Sequence, residues 1–309
     1  KTNINFMKEG RYMFIASVFV MLISCLLISF KGLNLGIDFT KGTRFDIVIT
    51  ESLSEPSVGK SDSIRIEDME TIMSTLNLKD QYTIKELSSE SAYIESDSLF
   101  HSSEYMFSIV SQAQFDKNKI ISQINEIKNL EYNEDKSLYQ TIGPKMGNEL
   151  ASSAKWSLGI AILLILVYIT FRFNSLFAIS SILALVHDIL ITTGIFSLFN
   201  FEISLPIIAA FLMILGYSLN DTIVVFDRIR ENLNEKDDDI SPMVNQSINQ
   251  TLSRTVLTSL TTLIVLIILY FVGSYLIKLF TLALIIGVII GTYSSIFVAS
   301  FSFKMLYNR

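Results

Sequence analysis

PIIAAFLMILGYSLND, Pro206 to Asp221, places a carboxylate at the end of an apolar run that is long enough to lie inside a membrane. The fifteen residues from Pro206 to Asn220 contain no ionisable side chain except Tyr217. An acidic side chain at the centre of a membrane helix costs about 2.5–3.5 kcal/mol on insertion scales. A chain that keeps such a residue is expected to use it, so this stretch indicates both a membrane protein and its candidate site.

The composition agrees with a membrane protein that carries one polar insert. The 309 residues are 50% hydrophobic and the mean hydropathy is +0.47, which is high for a soluble protein. Residues 31–150 hold 12 basic and 20 acidic side chains, a net charge of −8, against −6 for the whole chain. An acidic insert argues against a nucleic-acid partner. Cys25 is the only cysteine, which excludes intrachain disulfides and multi-cysteine metal sites.

Six apolar runs are long enough to cross about 30 Å of hydrocarbon as helices. The first run is too long for a cleaved signal peptide and lacks a small-residue cleavage site, so we expect it to stay as an anchor. The chain is therefore predicted to be a six-helix membrane protein. The six runs are Tyr12–Phe30, Ser153–Phe171, Leu176–Phe199, Pro206–Phe226, Leu252–Val272 and Tyr275–Phe303.

Basic residues near the span ends indicate the orientation of the chain in its membrane. With the N-terminus inside, only Lys155 and Lys278 flank the short outer ends. The long insert is not counted, because long domains are translocated regardless of charge. Both termini are therefore predicted to be cytoplasmic. The inner residues are Lys1, Lys8, Arg11, Arg172, Arg228, Arg230, Lys236, Lys304 and Arg309.

The insert has the pattern of an α+β domain outside the membrane. Apolar residues alternate with polar ones in four segments and recur at helical spacing in two others. The order strand, helix, strand, strand, helix, strand is that of a ferredoxin-like domain. The predicted strands are Thr43–Thr50, Tyr82–Leu87, Tyr105–Val110 and Leu138–Ile142, the predicted helices are Ile64–Leu78 and Phe115–Leu130, and Ser88–Ser103 is predicted to be a long hairpin loop.

The predicted organisation has three parts. Residues 1–30 hold the cytoplasmic N-terminus and the first helix, residues 31–150 the outer domain, and residues 151–309 the other five helices with a cytoplasmic loop over 227–250. The outer domain contains no catalytic constellation, and its lone His101 is expected to be solvated. We expect no catalytic residue, metal ion or cofactor anywhere in the chain.

Counting at 1.5 Å per residue places an acid and a base at similar depth in neighbouring spans. Asp221 is 15 residues from Pro206, about 22 Å below the outer boundary. Arg254 is 18 residues before Val272, about 27 Å below the same boundary. We therefore predict that Asp221 and Arg254 face each other. The alternative is that Arg254 extends to the headgroups and Asp221 lies near a helix end.

Each of these two charges lies in a stripe of polar side chains that could hold water. Residues three, four and seven apart share one helix face, and water, an acid and a base at matched depth can form a proton path. The first stripe comprises Ser218, Asp221, Thr222 and Val225, with Asn220 beside it; the second comprises Thr251, Arg254 and Thr258, with Thr255 adjacent.

Other charged residues are given lesser roles. Asp188 follows His187 near the middle of the third span, and we expect it either to line the same polar interior or to bond to a neighbouring helix. Its role in proton movement is ranked below that of Asp221. Asp227 and Arg228 are expected to form a solvated helix end that anchors the topology. Gly287-x-x-x-Gly291 in the sixth span permits close helix packing.

Two membrane aspartates also suit an intramembrane aspartyl protease. Those enzymes resemble one another in a Gly-x-Gly-Asp motif, whereas this chain has Ser-Leu-Asn-Asp at Ser218–Asp221. The protease interpretation is therefore poorly supported.

Six blocks lie beside or within the predicted spans: GLNLGIDFTKGT (32–43), IGPKMGNEL (142–150), ALVHDIL (184–190), GYSLNDTIVVFDRIREN (216–232), NQSINQTLSRTVLTSLTTL (245–263) and GVIIGTYSSIFVA (287–299). These blocks closely resemble those of the SecF family of protein-export membrane proteins, within the SecD/SecF group. In the block after the first span, Asp38, Phe39 and Gly42 match the family pattern Asp-Phe-x-Gly-Gly-Thr, but Lys41 replaces its first glycine. A glycine pair there suggests a turn with positive φ.

The resemblance implies partners and a mechanism. Such proteins pair with a homologous SecD of six spans, in a unit similar to the resistance-nodulation-division transporters. The pair is thought to use proton flow to help draw a translocating preprotein out of the SecYEG channel. Residues matching Asp221 and Arg254 are implicated in proton coupling, together with an aspartate of SecD. The alternative is half of a proton-driven lipid or small-molecule exporter of the same superfamily; a passive scaffold would not explain the matched depth of the two charges.

Overall fold

The structure is a computed structural model that describes residues 4–53, 66–75, 82–91, 101–111, 115–126, 130–233, 239–273 and 275–307. The chain divides into two units, Lys1–Gly36 with Ser152–Arg309, and Ile37–Ala151. The first unit contains the long apolar helices and the second contains a β-sheet.

Within the described residues, six helices are long and apolar enough to cross a membrane, as the sequence predicts. The sixth is interrupted by a π-helical turn, η1, over Ser295–Ala299. Each of the six predicted apolar runs overlaps one of these helices. The helices are α1 (Phe6–Phe30), α4 (Pro144–Arg172), α5 (Ser175–Leu198), α6 (Leu205–Asn232), α7 (Ser241–Val272), and the last helix, made of α8 (Tyr275–Ser294), η1 and α9 (Ser300–Tyr307).

The helices extend further than the apolar runs. Residues 227–232 and 241–250, predicted to be loop, belong to α6 and α7. Hydropathy marks where a chain leaves hydrocarbon, whereas a helix ends where its backbone hydrogen bonds end. The predicted loop over 227–250 was therefore too long.

Helix α5 is the most buried of the six, and it packs on α1, α6 and α8. Gly194 of α5 lies so close to α1 that a Cβ atom there would be 2.9 Å from Ser24 Cα. Between α6 and α8, a Cβ atom on Gly287 would lie 2.3 Å from Ile214, and one on Gly291 would lie 3.0 Å from Ser218 Cβ. The close packing predicted for the Gly-x-x-x-Gly pair is confirmed.

The second unit is built on a four-stranded sheet of order β2-β3-β1-β4, in which every neighbouring pair is antiparallel. Alternate β1 side chains, among them Phe45 and Ile47, pack with two helices in one apolar core. The elements are β1 (Gly42–Leu53), α2 (Ile66–Thr75), β2 (Tyr82–Ser91), β3 (His101–Ser111), α3 (Lys117–Glu126) and β4 (Leu130–Ile142).

All four strands are longer than the sequence patterns predict. Ser88–Ser91 and residues 101–103, assigned to a hairpin loop, continue the β2–β3 ladder as far as Ser91 and Ser103; residues 92–100 lie outside the described part. Backbone hydrogen bonds carry such a ladder past the end of an apolar pattern. Strand β4 starts at Leu130, and its register with β1 shifts between Asp46 and Val48. The shift interrupts the alternation that marks a strand.

The family block after α1 contains two glycines with positive φ, Gly32 at +78° and Gly42 at +148°. Lys41 has no positive φ, so the lysine occupies a position of the glycine pair that does not require glycine. Phe39 is buried and Asp38 half-buried. The next family block contacts this block, since a Cβ atom on Gly147 would lie 2.1 Å from the carbonyl oxygen of Thr40.

Candidate functional site

Asp188 lies at the centre of a hydrogen-bond network that joins three helices. Its carboxylate is fully buried. Oδ2 accepts hydrogen bonds from Ser218 Oγ of α6 at 2.5 Å and from Ser294 Oγ of α8 at 2.8 Å. Oδ1 lies 2.8 Å from Nδ1 of the neighbouring His187. Of the two outcomes expected for Asp188, the structure therefore gives bonding to neighbouring helices.

Asp221 lies on the same helix as Ser218, facing the interior at 2% exposure. Ser259 Oγ of α7 lies 3.4 Å from its Oδ2. The same hydroxyl is 2.7 Å from Thr292 Oγ1 of α8. The carboxylate of Asp221 is thus held by a chain of hydroxyl groups that also ends on α8.

Both carboxylates therefore connect to one short segment of α8, through Thr292 and Ser294. Close packing of α6 on α8 brings Ser218 against this segment, because Gly291 leaves no side chain between the two helices. A small residue allows the helix axes to approach and the polar side chains beside it to bond across. The glycines and Ser218 were among the residues singled out from the sequence, whereas Thr292 and Ser294 were not.

Arg254 is not paired with Asp221. Its side chain is exposed, and no ion pair joins it to any described residue. The buried face of α7 carries Thr251, Thr255 and Ser259, at four-residue spacing, and Arg254 lies about 100° away from Thr255 around the helix axis. Arg254 nevertheless interacts electrostatically with Asp221 at a distance longer than an ion pair, so the predicted facing of the two residues stays a prediction.

Two further residues predicted near Asp221 on α6 differ in burial. Thr222 is buried, but its hydroxyl bonds to the carbonyl of Ser218 within α6. Asn220 is exposed and makes no side-chain hydrogen bond to a described residue. Like Arg254, it lies on the outer surface of the described helices.

Asp227 and Arg228 lie at the end of α6 and bond to other helices. Arg172 Nη2 of α4 is 3.2 Å from Asp227 Oδ1. Arg228 donates to Gln250 of α7 at 2.5 Å and pairs with Glu231 at 2.6 Å. These partly exposed contacts join α4, α6 and α7 at one end.

The sequence analysis did not select His187, Ser259, Thr292 or Ser294 as site residues. The two serines and the threonine carry no signal of their own, since hydroxyl residues often bond to their own helix in a membrane. His187 could have been selected from the sequence, because an ionisable side chain within an apolar span is rare. Among the described residues, no group of three or more His, Cys, Asp or Glu side chains is placed to hold a metal ion.

Fold and site define a class: a polytopic membrane protein with one inserted α+β unit and buried carboxylates on its inner helices. Residues 122–309 match the family model of the SecD/SecF protein export membrane protein, C-terminal. The chain is 37% identical to the protein translocase subunit SecF of Sebaldella termitidis and 40% identical to that of Desulfurispirillum indicum, covering 96% of this chain and 90% of each relative. The chain belongs to the SecF family of protein translocase subunits.

Solved structures agree with this assignment. The crystal structure of SecDF, a translocon-associated membrane protein from Thermus thermophilus, is 35% identical with a TM-score of 0.76. The alignment covers all of this chain and 39% of that longer chain. SecDF in its super-membrane-facing form gives 34% identity and a TM-score of 0.68, with the same coverage.

Proposed function

We propose that this chain is an auxiliary subunit of the Sec translocase that, with a SecD partner, uses the proton motive force to assist protein export. Its membership of the SecF family supports the translocase role. The SecDF structures support the partner, because this chain spans only 39% of them. SecYEG, the translocating preprotein and protons are the further partners, and we expect the chain to catalyse no covalent reaction.

We infer a bacterial inner-membrane topology with both termini cytoplasmic and the sheet unit periplasmic. The distribution of basic residues at the helix ends supports this orientation. The unit is proposed to be ferredoxin-like, since its elements run β-α-β-β-α-β and its sheet order is β2-β3-β1-β4, in keeping with the split βαβ motif.

We propose Asp221 as the proton-coupling carboxylate. The observation that carries this proposal is its 2% exposure with hydroxyl contacts from Ser259 and Thr258 of α7. Arg254 interacts with it electrostatically but forms no ion pair, so no bonded cation fixes the charge of the carboxylate. Asp188, Ser218 and Thr222 complete the polar interior. Asn220 and Arg254 lie on exposed surfaces, where a SecD subunit would supply their partners, and Arg254 would act as a counter-ion that does not titrate.

The roles of the other predicted residues are structural in this proposal. Asp38, Phe39 and Gly42 shape the turn that enters the periplasmic unit, supported by the burial of Phe39 and the φ of Gly42. Asp227 and Arg228 hold the cytoplasmic helix ends together through their contacts with α4 and α7.

The test is proton-driven export from inverted membrane vesicles that contain this chain and SecD. We expect Asp221→Asn and Arg254→Met to lose proton-driven export while complex assembly stays normal. Arg11→Met, which removes an exposed arginine from α1, is the matched control and is expected to export normally. Normal export by Asp221→Asn would refute the proposed coupling role, and loss of assembly would assign the residue a structural role instead.

The alternative function, half of a lipid or small-molecule exporter of the same superfamily, predicts a different partner. Such exporters usually carry about twelve spans with two large outer domains in one chain, arising from internal duplication. Co-purification with SecD and retention of export with a defined preprotein would favour the translocase role, whereas substrate efflux without SecD would favour the exporter.

A further inference from the structure

His187 is a buried ionisable residue that the proposed role of Asp221 does not use. Its side chain is 1% exposed. Nδ1 is engaged with Asp188 at 2.8 Å, but Nε2 is buried and has no hydrogen-bond partner among the described residues. A buried polar atom without a partner costs about 1–3 kcal/mol, so its retention in the centre of α5 requires an explanation.

The contacts around Asp188 are compatible with an ionised carboxylate that accepts from Ser218, Ser294 and His187. In that assignment His187 donates from Nδ1, and in the neutral ring the free lone pair is on Nε2. The atom without a partner is then a proton acceptor on the imidazole that faces the carboxylate of Asp188.

The helices packed around His187 and Asp188 contribute hydroxyl groups to this pair, and none of their described residues forms an ion pair with it. Helix α6 contributes Ser218, and α8 contributes Ser294 and Tyr293, whose ring stacks on His187 at a centroid distance of 6.2 Å. The Tyr293 hydroxyl bonds to Ser17 of α1 at 2.9 Å. Tyr293 is thus the one titratable side chain that these neighbours bring into contact with the pair in the described part of the chain.

The other charged residues of the helices packed against α5 lie away from His187 and Asp188. The charged residues of α1, Lys8, Glu9 and Arg11, are exposed, η1 has no ionisable residue, and Lys304 of α9 lies over the Phe301 ring. Asp221 of α6 contacts Ser259 instead. The buried charge of Asp188 is therefore stabilised by hydrogen bonds alone, and a buried charge gains most from a directly bonded counter-ion.

We propose that His187 is a second proton-holding group of the membrane unit. Nε2 accepts a proton from a hydronium ion, which leaves as water, and the imidazole–carboxylate pair changes from a net charge of −1 to an imidazolium–carboxylate pair of net charge zero. The inference rests on the proposed proton-coupled function and adds a site distinct from Asp221. An imidazolium beside Asp188 competes with the bonds from Ser218 and Ser294, which join α5 to α6 and α8.

The first test observes the imidazole directly. The chain contains two histidines, so His101→Gln leaves His187 as the single reporter in ¹⁵N-histidine solid-state NMR of the chain reconstituted with SecD in lipid vesicles. We expect the ¹⁵N signals of the Nδ1–H tautomer in the unprotonated ring and of an imidazolium when the proton is bound. In Asp188→Asn the Nδ1 signal should shift, because the carboxylate that faces this nitrogen is gone. A ring that stays neutral, the Nε2–H tautomer, or no effect of Asp188→Asn would overturn the proposal.

The second test asks whether this proton is used. His187→Asn keeps a donor near the Nδ1 position and removes the titrating nitrogen, so we expect normal assembly with SecD but loss of proton-driven export. Normal export by His187→Asn would overturn the role of the second site even if the imidazolium is observed. The two proposals can fail separately. Normal export by Asp221→Asn would refute the proposed function. The NMR result tests His187 alone, because it does not depend on export.

Discussion

Ser218 of α6 donates a 2.5 Å hydrogen bond to Asp188 of α5, and this bond joins the two helices that carry the buried acids. Asp221 lies three residues after Ser218, close to one turn further along α6. A shift of α6 relative to α5 would therefore change the surroundings of both carboxylates.

Replacing Ser218 by alanine removes one of the three donors to Asp188. We expect Ser218→Ala to lower the free energy of unfolding by about 1 kcal/mol, within the range measured for hydrogen bonds between membrane helices. Thermal or denaturant unfolding in detergent measures the change. Ser157→Ala is the control, because that exposed hydroxyl bonds only to the carbonyl of Ser153 in its own helix. Equal stability of the two variants would contradict the importance of the bond.

The contact between α1 and α5 depends on the absence of a side chain at Gly194. In Gly194→Ala the new methyl carbon would meet Ser24 Cα at 2.9 Å, so the backbone of α1 must move. We expect a loss of about 1–3 kcal/mol in the free energy of unfolding, as for overpacked cores. Gly159→Ala, on α4 with no atom within 4 Å of the new carbon, should be neutral or slightly stabilising; a similar loss in both variants would show that the contact is unimportant.

The segment before α1 is attached to α7 by two asparagines. Asn249 accepts from the Ile4 amide at 2.9 Å and donates to the Ile4 carbonyl at 2.8 Å, and Asn245 accepts from the Phe6 amide at 2.6 Å. Asn249→Ala should increase hydrogen exchange of the backbone amides over residues 4–6. Gln246→Ala, an exposed amide on the same helix, should leave the exchange unchanged. Unaltered protection in Asn249→Ala would mean that Asn245 alone holds the segment.

Asp239 makes the start of α7 sensitive to pH. The Ser241 hydroxyl, followed by the Ser241 backbone amide, holds the pKa of the Asp239 carboxyl below its ordinary value. The folded pKa is therefore below the unfolded one, so the stabilisation is present above the ordinary aspartate range, near about pH 4, and is lost as the pH falls through the folded pKa.

Protection factors of the first amides of α7, corrected for the intrinsic pH dependence of exchange, measure this effect. We expect them to fall on acidification in the wild-type chain. Asp239→Asn keeps an acceptor but cannot titrate, so its protection should be independent of pH over the same range. Parallel behaviour of the two chains would assign the acid sensitivity to another group.

The membrane helices could be predicted from the sequence because each needs only one long apolar run. The site could be predicted in part. Asp188 and Asp221 are recognisable because a carboxylate in an apolar span is rare. Their partners are not, since Ser259 and Ser294 differ from many other hydroxyl residues only in the angle at which they face a neighbouring helix.

The contacts of Asp221 illustrate the limit. Counting depth selected Arg254, which interacts electrostatically with Asp221 without an ion pair, but it did not select Ser259, whose hydroxyl lies 3.4 Å from the carboxylate. Arg254 and Ser259 are five residues apart, which is about 140° around a helix, and depth alone does not give this angle. In the inserted unit, the first half of β4 was not predicted as strand. The register shift breaks the alternation of apolar and polar residues on which such a prediction depends.

The π-helical turn at Ser295–Ala299 follows directly after Tyr293 and Ser294, the α8 residues that contact His187 and Asp188. Such a turn is equivalent to one residue inserted into an α-helix. Rewinding the same residues into a regular α-helix, with none deleted, would rotate one side by about 100° relative to the other. The π-turn therefore lets Tyr293 and Ser294 face His187 and Asp188 while Ser300–Tyr307 keeps its own packing face.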